Sequence, residues 1–391
     1  MYKYVVGIDI SKYKHDCCIK DILSQKVEAK FTIKNDKDGF DYLLTCLTSF
    51  GGPEEVKIGF ESTAHYGLNL MLFLEKNHHS FMEVNPYLIK EFKMAHTLRR
   101  TKTDTMDCEL IADWLMSVEY KPHSKGFYHA YSLKSLTRMR DTLIKQRSLY
   151  KVKITNVLDH TFPEYKQFFS NTLSKTALYI LKNYISADNI SELTNEDYEA
   201  IKSVSRGHFS PQQFMELKSL AANSIGTNNT IFELELKSFL SLFESIDYEI
   251  EKIEEEITKL LDDVNPHFMT IPGIGPISAA VIYSEYGGVD NFTTPSKMLA
   301  FAGMEPSVSE SGTETKDGRM VKHGSSQLRY TLINCCVPLI RHDVVFATYY
   351  AKKRAEGKPH RVALVHVAKK LIRVIYTLEA KQEDFDSMKL R

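Results

Sequence analysis

Residues 2–34, YKYVVGIDISKYKHDCCIKDILSQKVEAKFTIK, decide the fold. Tyr2 to Ile10 alternates as a strand does. His15 to Asp21 and Lys26 to Lys34 repeat the pattern with β-branched residues and short polar joins. Three such runs in succession predict an antiparallel meander. Beyond it, Asp36 to Phe50 carries Phe40, Leu43, Leu44 and Leu47 at helical spacing. Val56 to Glu61 is a strand, Tyr66 to Asn77 an apolar helix, Ser80 to Val84 a strand, and Pro86 occupies a favoured first position of a further helix. The order β-β-β-α-β-α-β-α predicts an α/β domain over residues 1–125.

Two strands of this domain end their apolar alternation with an acid, Asp9 in the first and Glu61 in the fourth. A carboxylate in an apolar strand is costly unless paired or on a metal. Adjacent strands lie only about 5 Å apart, so the two acids can meet if their strands pair. Residues 99–115, RRTKTDTMDCELIADWL, run from a basic approach into a helix whose first turn holds Asp104 and Asp107. Residues three apart share a helix face, while Leu110, Ile111, Trp114 and Leu115 supply an apolar one. Four oxygen-donor carboxylates suit Mg²⁺ or Mn²⁺. Taken singly, each acid also reads as a turn or cap residue, with Thr103 capping the helix and the acids complementing its dipole.

At 391 residues, the chain exceeds one ordinary domain, and 43% hydrophobic residues can build real cores. No apolar run approaches the roughly 20 residues of a membrane span, and Met1 to Gly7 enters a strand without the regions of a signal peptide. A soluble intracellular protein is expected, with no membrane partner. Cys17, Cys18, Cys46, Cys108, Cys335 and Cys336 form no C-x-x-C pair, so they read as reduced core residues. Fifty basic residues balance fifty acidic ones, but the zero hides segregation. Lys316 to Arg373 holds thirteen Lys and Arg against three acids, while Phe232 to Asp263 holds eleven acids against three lysines. A local basic field is what binds phosphate backbones.

Leu133 to Pro163 reads as a long basic helix. Phe232, Leu236, Phe239, Phe243, Ile246, Ile250, Ile253, Ile257, Leu260 and Val264 alternate by fours and threes. Their charges are complementary, which favours an antiparallel hairpin or a dimer seam over a plain core helix, within a helical coiled-coil region at 126–265. Asn171 to Gly226 reads as short helices with polar joins. A third region, 266–391, opens on I271-P-G-I-G-P-I-S-A-A, either a backbone approach to phosphate at a helix entry or a tight turn before a buried helix. Next, residues 299–332, LAFAGMEPSVSESGTETKDGRMVKHGSSQLRYTL, alternate small residues, glycines and cations as phosphate contact requires. Lys316, Arg319, Lys322 and Arg329 would supply charge here, as would Arg99, Arg100 and Lys102 before the second acid pair.

GIDISK (7–12), GFESTAHYG (59–67), NP (85–86) and KTDTMDCELIADWL (102–115) together resemble the DEDD-type insertion-sequence transposases, the bridge-RNA-guided serine recombinases with a RuvC-like N-terminal domain of RNase H fold. The resemblance continues through Ser311-Gly312 and the K-x-G-x-x-x-L-R segment at Lys322, Gly324, Leu328 and Arg329, and is weakest at 171–226. It implies that Asp9, Glu61, Asp104 and Asp107 bind the metal, Mg²⁺ or Mn²⁺, and that Ser311 is the nucleophile. It implies further a helical, dimer-forming middle region, a mostly helical C-terminal transposase domain, and an active site composed across two subunits of a homodimer or homotetramer. Donor and target DNA, an element-encoded bridge RNA, and action at the nucleoid in a prokaryotic cytoplasm complete the expectation. The alternatives are a RuvC-like metal-dependent junction nuclease that activates water, with Ser311 only binding phosphate, and a non-catalytic nucleic-acid scaffold.

Overall fold

The strand β1 (Tyr4–Ile10) sits centrally in a five-stranded sheet and sorts its residues to two different cores. In this computed structural model, which describes residues 2–61, 66–84, 86–96, 104–122, 127–311, 314–322 and 324–389, two compact units are resolved. The first comprises residues 1–130 with 286–293. Its meander is β1, β2 (Lys14–Asp21) and β3 (Val27–Lys34), joined antiparallel. The chain then crosses through α1 (Lys37–Phe50) to β4 (Val56–Glu61), which lies parallel to β1, and through α2 (Leu68–Lys76) to β5 (Phe81–Val84), parallel to β4. The sheet order is β3-β2-β1-β4-β5. Two helices follow, α3 (Pro86–His96) and α4 (Asp104–Ser117). The expected element order is realised. Asp36 lies outside its helix as the N-cap, accepting the Gly39 N–H at 2.9 Å, and the second helix begins at Leu68 rather than Tyr66.

Strand periodicity explains the two cores. Val6, Ile8 and Ile10 pack with Ile58 and Phe60 of β4 against Phe40, Leu43 and Leu47 of α1 and Leu70 and Leu74 of α2. Val5 faces the other way, toward Ile111, Ala112, Trp114 and Leu115 of α4. On that second face two glycines admit the helix. A Cβ on Gly7 would lie 2.1 Å from the Cys108 carbonyl oxygen, and one on Gly59 would lie 2.6 Å from Leu115 Cδ1.

The second unit comprises residues 131–285 with 294–391. Most of α5 (Phe127–Thr161) belongs to it, followed by α6 (Tyr165–Phe168), α7 (Lys175–Tyr184), α8 (Ala187–Ser191), α9 (Asn195–Val204), α10 (Pro211–Ala222) and α11 (Thr230–Asp262). Partner numbers fall on α11 as they rise on α5, so the two helices run antiparallel. Arg140 binds Glu254 at 2.6 Å, Arg147 binds Asp247 at 2.5 Å, Tyr150 meets Phe239 and His160 stacks on Phe232. The opposite charges expected to pair the helices do so within one chain. The strict alternation by fours and threes is corrected in detail. Leu240 and Leu261 are buried, whereas Phe232, Phe239 and Ile246 are only half-buried. An α-helix drifts from a 3.5-residue repeat, and α11 also packs into a core shared with α7 and α10.

Helices α12 (Pro276–Tyr286) and α13 (Pro295–Phe301) precede a two-stranded ribbon, β6 (Pro306–Ser311) and β7 (Glu314–Met320). The chain continues through α14 (Ser326–His342), α15 (Val344–Ala355) and α16 (His360–Lys381), which pack mutually. At the turn before α12, Gly273 has φ +94°, and a Cβ there would lie 2.7 Å from Pro338 Cγ of α14. This close approach demands glycine whatever else the turn binds. All six cysteines are free. No helix of the described residues is long and apolar enough to cross a membrane.

Candidate metal centre

Asp9 and Glu61 occupy equivalent steps on adjacent parallel strands. The last registered pair of β1 and β4 is Ile8 with Phe60, and each acid is the next residue along. Asp9 lies two positions after Gly7 and Glu61 two positions after Gly59, the glycines on which α4 lies, so alternation turns both carboxylates to the α4 side. Both are half-buried.

Helix α4 is fixed on that face by several independent contacts. Lys20, 5% exposed, is 2.5 Å from Asp113 and 3.1 Å from Glu109, and Lys30 pairs with Glu109 as well. The Lys30 bond, with lesser help from Lys20, holds the Glu109 carboxyl below its usual range. Cys18 and Cys108 are both buried and lie side by side where β2 meets α4. After the helix, the Tyr120 hydroxyl accepts the Ile58 N–H at 3.2 Å and lies 2.9 Å from the Ser80 carbonyl, tying β4 to the entry of β5. Burial pushes this phenol up to about 12.

Asp104 is the first residue of α4; its side chain lies outside the described residues. Asp107 follows one turn later and is bonded to Lys93 of α3 at 2.8 Å. Among the described residues no three His, Cys, Asp or Glu side chains converge closely enough to hold a metal ion. What the structure brings together is therefore two carboxylates on adjacent strands, facing the helix that carries the other two. Sequence reasoning missed Lys93, a cation inside an amphipathic helix with no local signal of a distant partner. It also missed Asp16, the residue opposite Asp9 on β2.

The expected nucleic-acid contacts are distributed differently. Arg99, Arg100, Lys102 and Thr103 lie outside the described residues. Lys316 and Arg319 fall on β7, while Ser311 ends β6 opposite Glu314; all three side chains lie outside the described set. Lys322 is exposed, with φ +56°. The Arg329 guanidinium donates to the carbonyls of Ala302 at 3.2 Å and Gly324 at 3.0 Å, so it braces the backbone beside the ribbon.

Residues 6–163 match the DEDD-type IS110 family model described as a transposase, and residues 265–351 match the model described as the transposase IS116/IS110/IS902 family. The 43.6 kDa protein of insertion element IS110 from Streptomyces coelicolor is 29% identical over 128 residues, a match that spans 32% of each chain. The 44.8 kDa protein of insertion element IS116 from Streptomyces clavuligerus is 20% identical across 95% of this chain and 94% of its own. Among solved structures, RuvC of T. thermophilus in complex with a Holliday junction substrate matches 28% of this chain and 90% of its own at 12% identity. Its TM-score of 0.22 is too low to bear on the fold.

Proposed function

Since this chain belongs to the IS116/IS110/IS902 family of transposases, we propose that it cuts and rejoins DNA with a divalent-metal carboxylate centre at Asp9, Glu61, Asp104 and Asp107 and a serine nucleophile at Ser311. The observation that carries the reading is the register of β1 and β4, with Asp9 and Glu61 at matching steps on the face covered by α4. An all-carboxylate donor set fits Mg²⁺ or Mn²⁺, which prefer oxygen ligands. Asp107 would exchange Lys93 for the ion. When bound, such ions stabilise the charge that develops on the attacking and departing oxygens of a phosphodiester.

The chain's own groups supply the rest. The oxygen of Ser311 attacks phosphorus as the P–O bond to the departing strand end breaks, and the serine proton is transferred, directly or through water, to that strand-end oxygen. The phosphodiester is thereby conserved in a serine linkage instead of being lost to water. Lys322, Lys316, Arg319 and the basic stretch at Arg99, Arg100 and Lys102 hold the nucleic-acid backbone by charge. In this reading the N-terminal unit is RNase H-like, and α5 with α11 forms a coiled-coil arm used for assembly into a homodimer or homotetramer. Target choice is delegated to base pairing with an element-encoded RNA, which suits a chain without a sequence-reading module visible in its sequence.

Asp9→Asn, Glu61→Gln, Asp104→Asn and Asp107→Asn keep shape and remove charge. Each is expected to abolish Mg²⁺-dependent strand cleavage while circular dichroism and nucleic-acid binding stay near wild type. Normal cleavage by Asp104→Asn would exclude its carboxylate from the chemistry. RNA co-purifying with the protein and matching the DNA beside its gene is the corresponding test of guidance; recombination by RNA-free protein at an unchanged rate would contradict it.

A further inference from the structure

Opposite Asp9, on β2, stands another acid. The antiparallel register of β1 and β2 pairs Asp9 with Asp16, and residues directly opposite in such a pair project to the same face. Strand β2 fixes that direction a second way. Two residues on, Cys18 lies beside Cys108 of α4, and two further on, Lys20 binds Asp113 and Glu109 of the same helix. Asp16, Cys18 and Lys20 thus line the α4 side, and Asp16, Asp9 and Glu61 form one row across three adjacent strands.

Asp16 is 5% exposed. Thr32, its opposite number on β3, donates its hydroxyl to Oδ1 at 2.5 Å, and the Lys14 ammonium lies 3.2 Å from Oδ2. The carboxylate is therefore held in one orientation. Two like charges opposite each other weaken a sheet, and burial of Asp16 raises the cost. Lys14, its side chain 49% exposed, faces the pair from the solvent side, where water screens its field. A fixed negative charge beside a metal ligand, however, strengthens that ligand's hold on a cation by direct electrostatic attraction.

We infer that Asp16 is a positioning residue of the carboxylate centre: oriented by Thr32 and Lys14, its charge lies beside Asp9 and raises the affinity of the quartet for a divalent cation. The inference rests on the reading that the quartet binds metal, and the test separates the two. Binding of Mn²⁺ alone to the full-length protein is measured by calorimetry for wild type, Asp9→Asn, Asp16→Asn and Thr32→Val. Asp16→Asn retains an oxygen to accept the Thr32 hydroxyl, so it removes charge with little loss of packing. It is expected to bind Mn²⁺ about 10-fold more weakly with an unchanged circular dichroism spectrum. Thr32→Val, which keeps the charge and frees its orientation, should fall between it and wild type.

Wild-type affinity in Asp16→Asn, with Asp9→Asn defective, overturns the inference and leaves the quartet standing. No Mn²⁺ binding by wild type, or full binding by Asp9→Asn, removes the quartet reading itself. Should Asp16→Asn fail to fold, Asp16→Glu decides. It keeps the charge but moves it by one methylene, so a several-fold change in Mn²⁺ affinity supports the inference and wild-type affinity overturns it.

Discussion

Gly7 and Cys108 are in backbone contact: a single carbon added to Gly7 would lie 2.1 Å from the Cys108 carbonyl oxygen and 2.6 Å from the Ala112 nitrogen. The central strand and the helix bearing Asp104 and Asp107 touch without an intervening side chain. Gly7→Ala must therefore push α4 off the sheet. Overpacking against backbone costs about 1–3 kcal/mol or more, and the displaced helix would carry its carboxylates away from Asp9 and Glu61. Thermal melting should show a destabilised protein, and Mn²⁺ affinity should fall with it. A variant with wild-type melting and metal binding would mean that this contact does not position the helix.

The paired helices α5 and α11 bury their seam inside one chain, so disruption should appear first as loss of fold. Ile257 is fully buried, and Ile257→Asp places a charge in an apolar seam, a change of the kind that costs more than about 4 kcal/mol. Phe243→Ala should cost about 3–5 kcal/mol. Arg147→Ala removes a partly exposed ion pair and should cost about 1 kcal/mol or less. Denaturant titration of the three variants checks the order. Equal stability of Ile257→Asp and wild type would show that the seam is not needed for folding.

Acidification should weaken the N-terminal unit before its carboxylates titrate. His15 and His79 are buried, and burial holds both below the usual imidazole value. A depressed value in the fold means that stability is present above the unfolded value of about 6.5 and is lost as pH falls through the lowered one. The melting temperature should drop between about pH 7 and about pH 5, and the double substitution His15→Phe, His79→Phe should flatten that slope. An unchanged slope in the double variant would assign the effect to other groups.

The meander and crossovers were legible because strand and helix periodicities are written locally, and Asp9 and Glu61 stood out as charges in apolar strands. Their pairing follows from the order of elements. Other features depend on residues far apart in the chain. Nothing near Gly7 or Gly59 announces a helix starting about a hundred residues later for the one and some fifty for the other. Asp16 reads as a polar step of a half-exposed strand until its register with Asp9 is known. Lys93 gives no hint that it will meet Asp107, nor does Arg329, which suggests phosphate in sequence, announce that its Nη1 will also donate to two backbone carbonyls. The departure of α11 from a strict heptad arises from neighbours, α7 and α10, that a single-helix pattern cannot contain.

That assignment of Arg329 separates it from Lys322. Lys322→Ala should weaken DNA binding and flatten the slope of log affinity against log salt by about one unit, the loss of one phosphate contact, with no change in melting. Arg329→Ala should lower stability as well, since two carbonyls lose their donor. Salt titrations of binding alongside thermal melts distinguish the two. Identical behaviour of both variants would contradict the division of roles.

The most direct measurement of the central claim is whether DNA becomes covalently attached to Ser311. Wild-type protein is trapped during reaction with its DNA and Mg²⁺, denatured, digested and sequenced by mass spectrometry. The account predicts a nucleotide-bearing peptide modified at Ser311, absent from Ser311→Ala but present in Ser307→Ala and Ser309→Ala. An adduct that persists in Ser311→Ala, or efficient cutting by wild type with no adduct at all, would contradict it and leave a water-activating nuclease in its place.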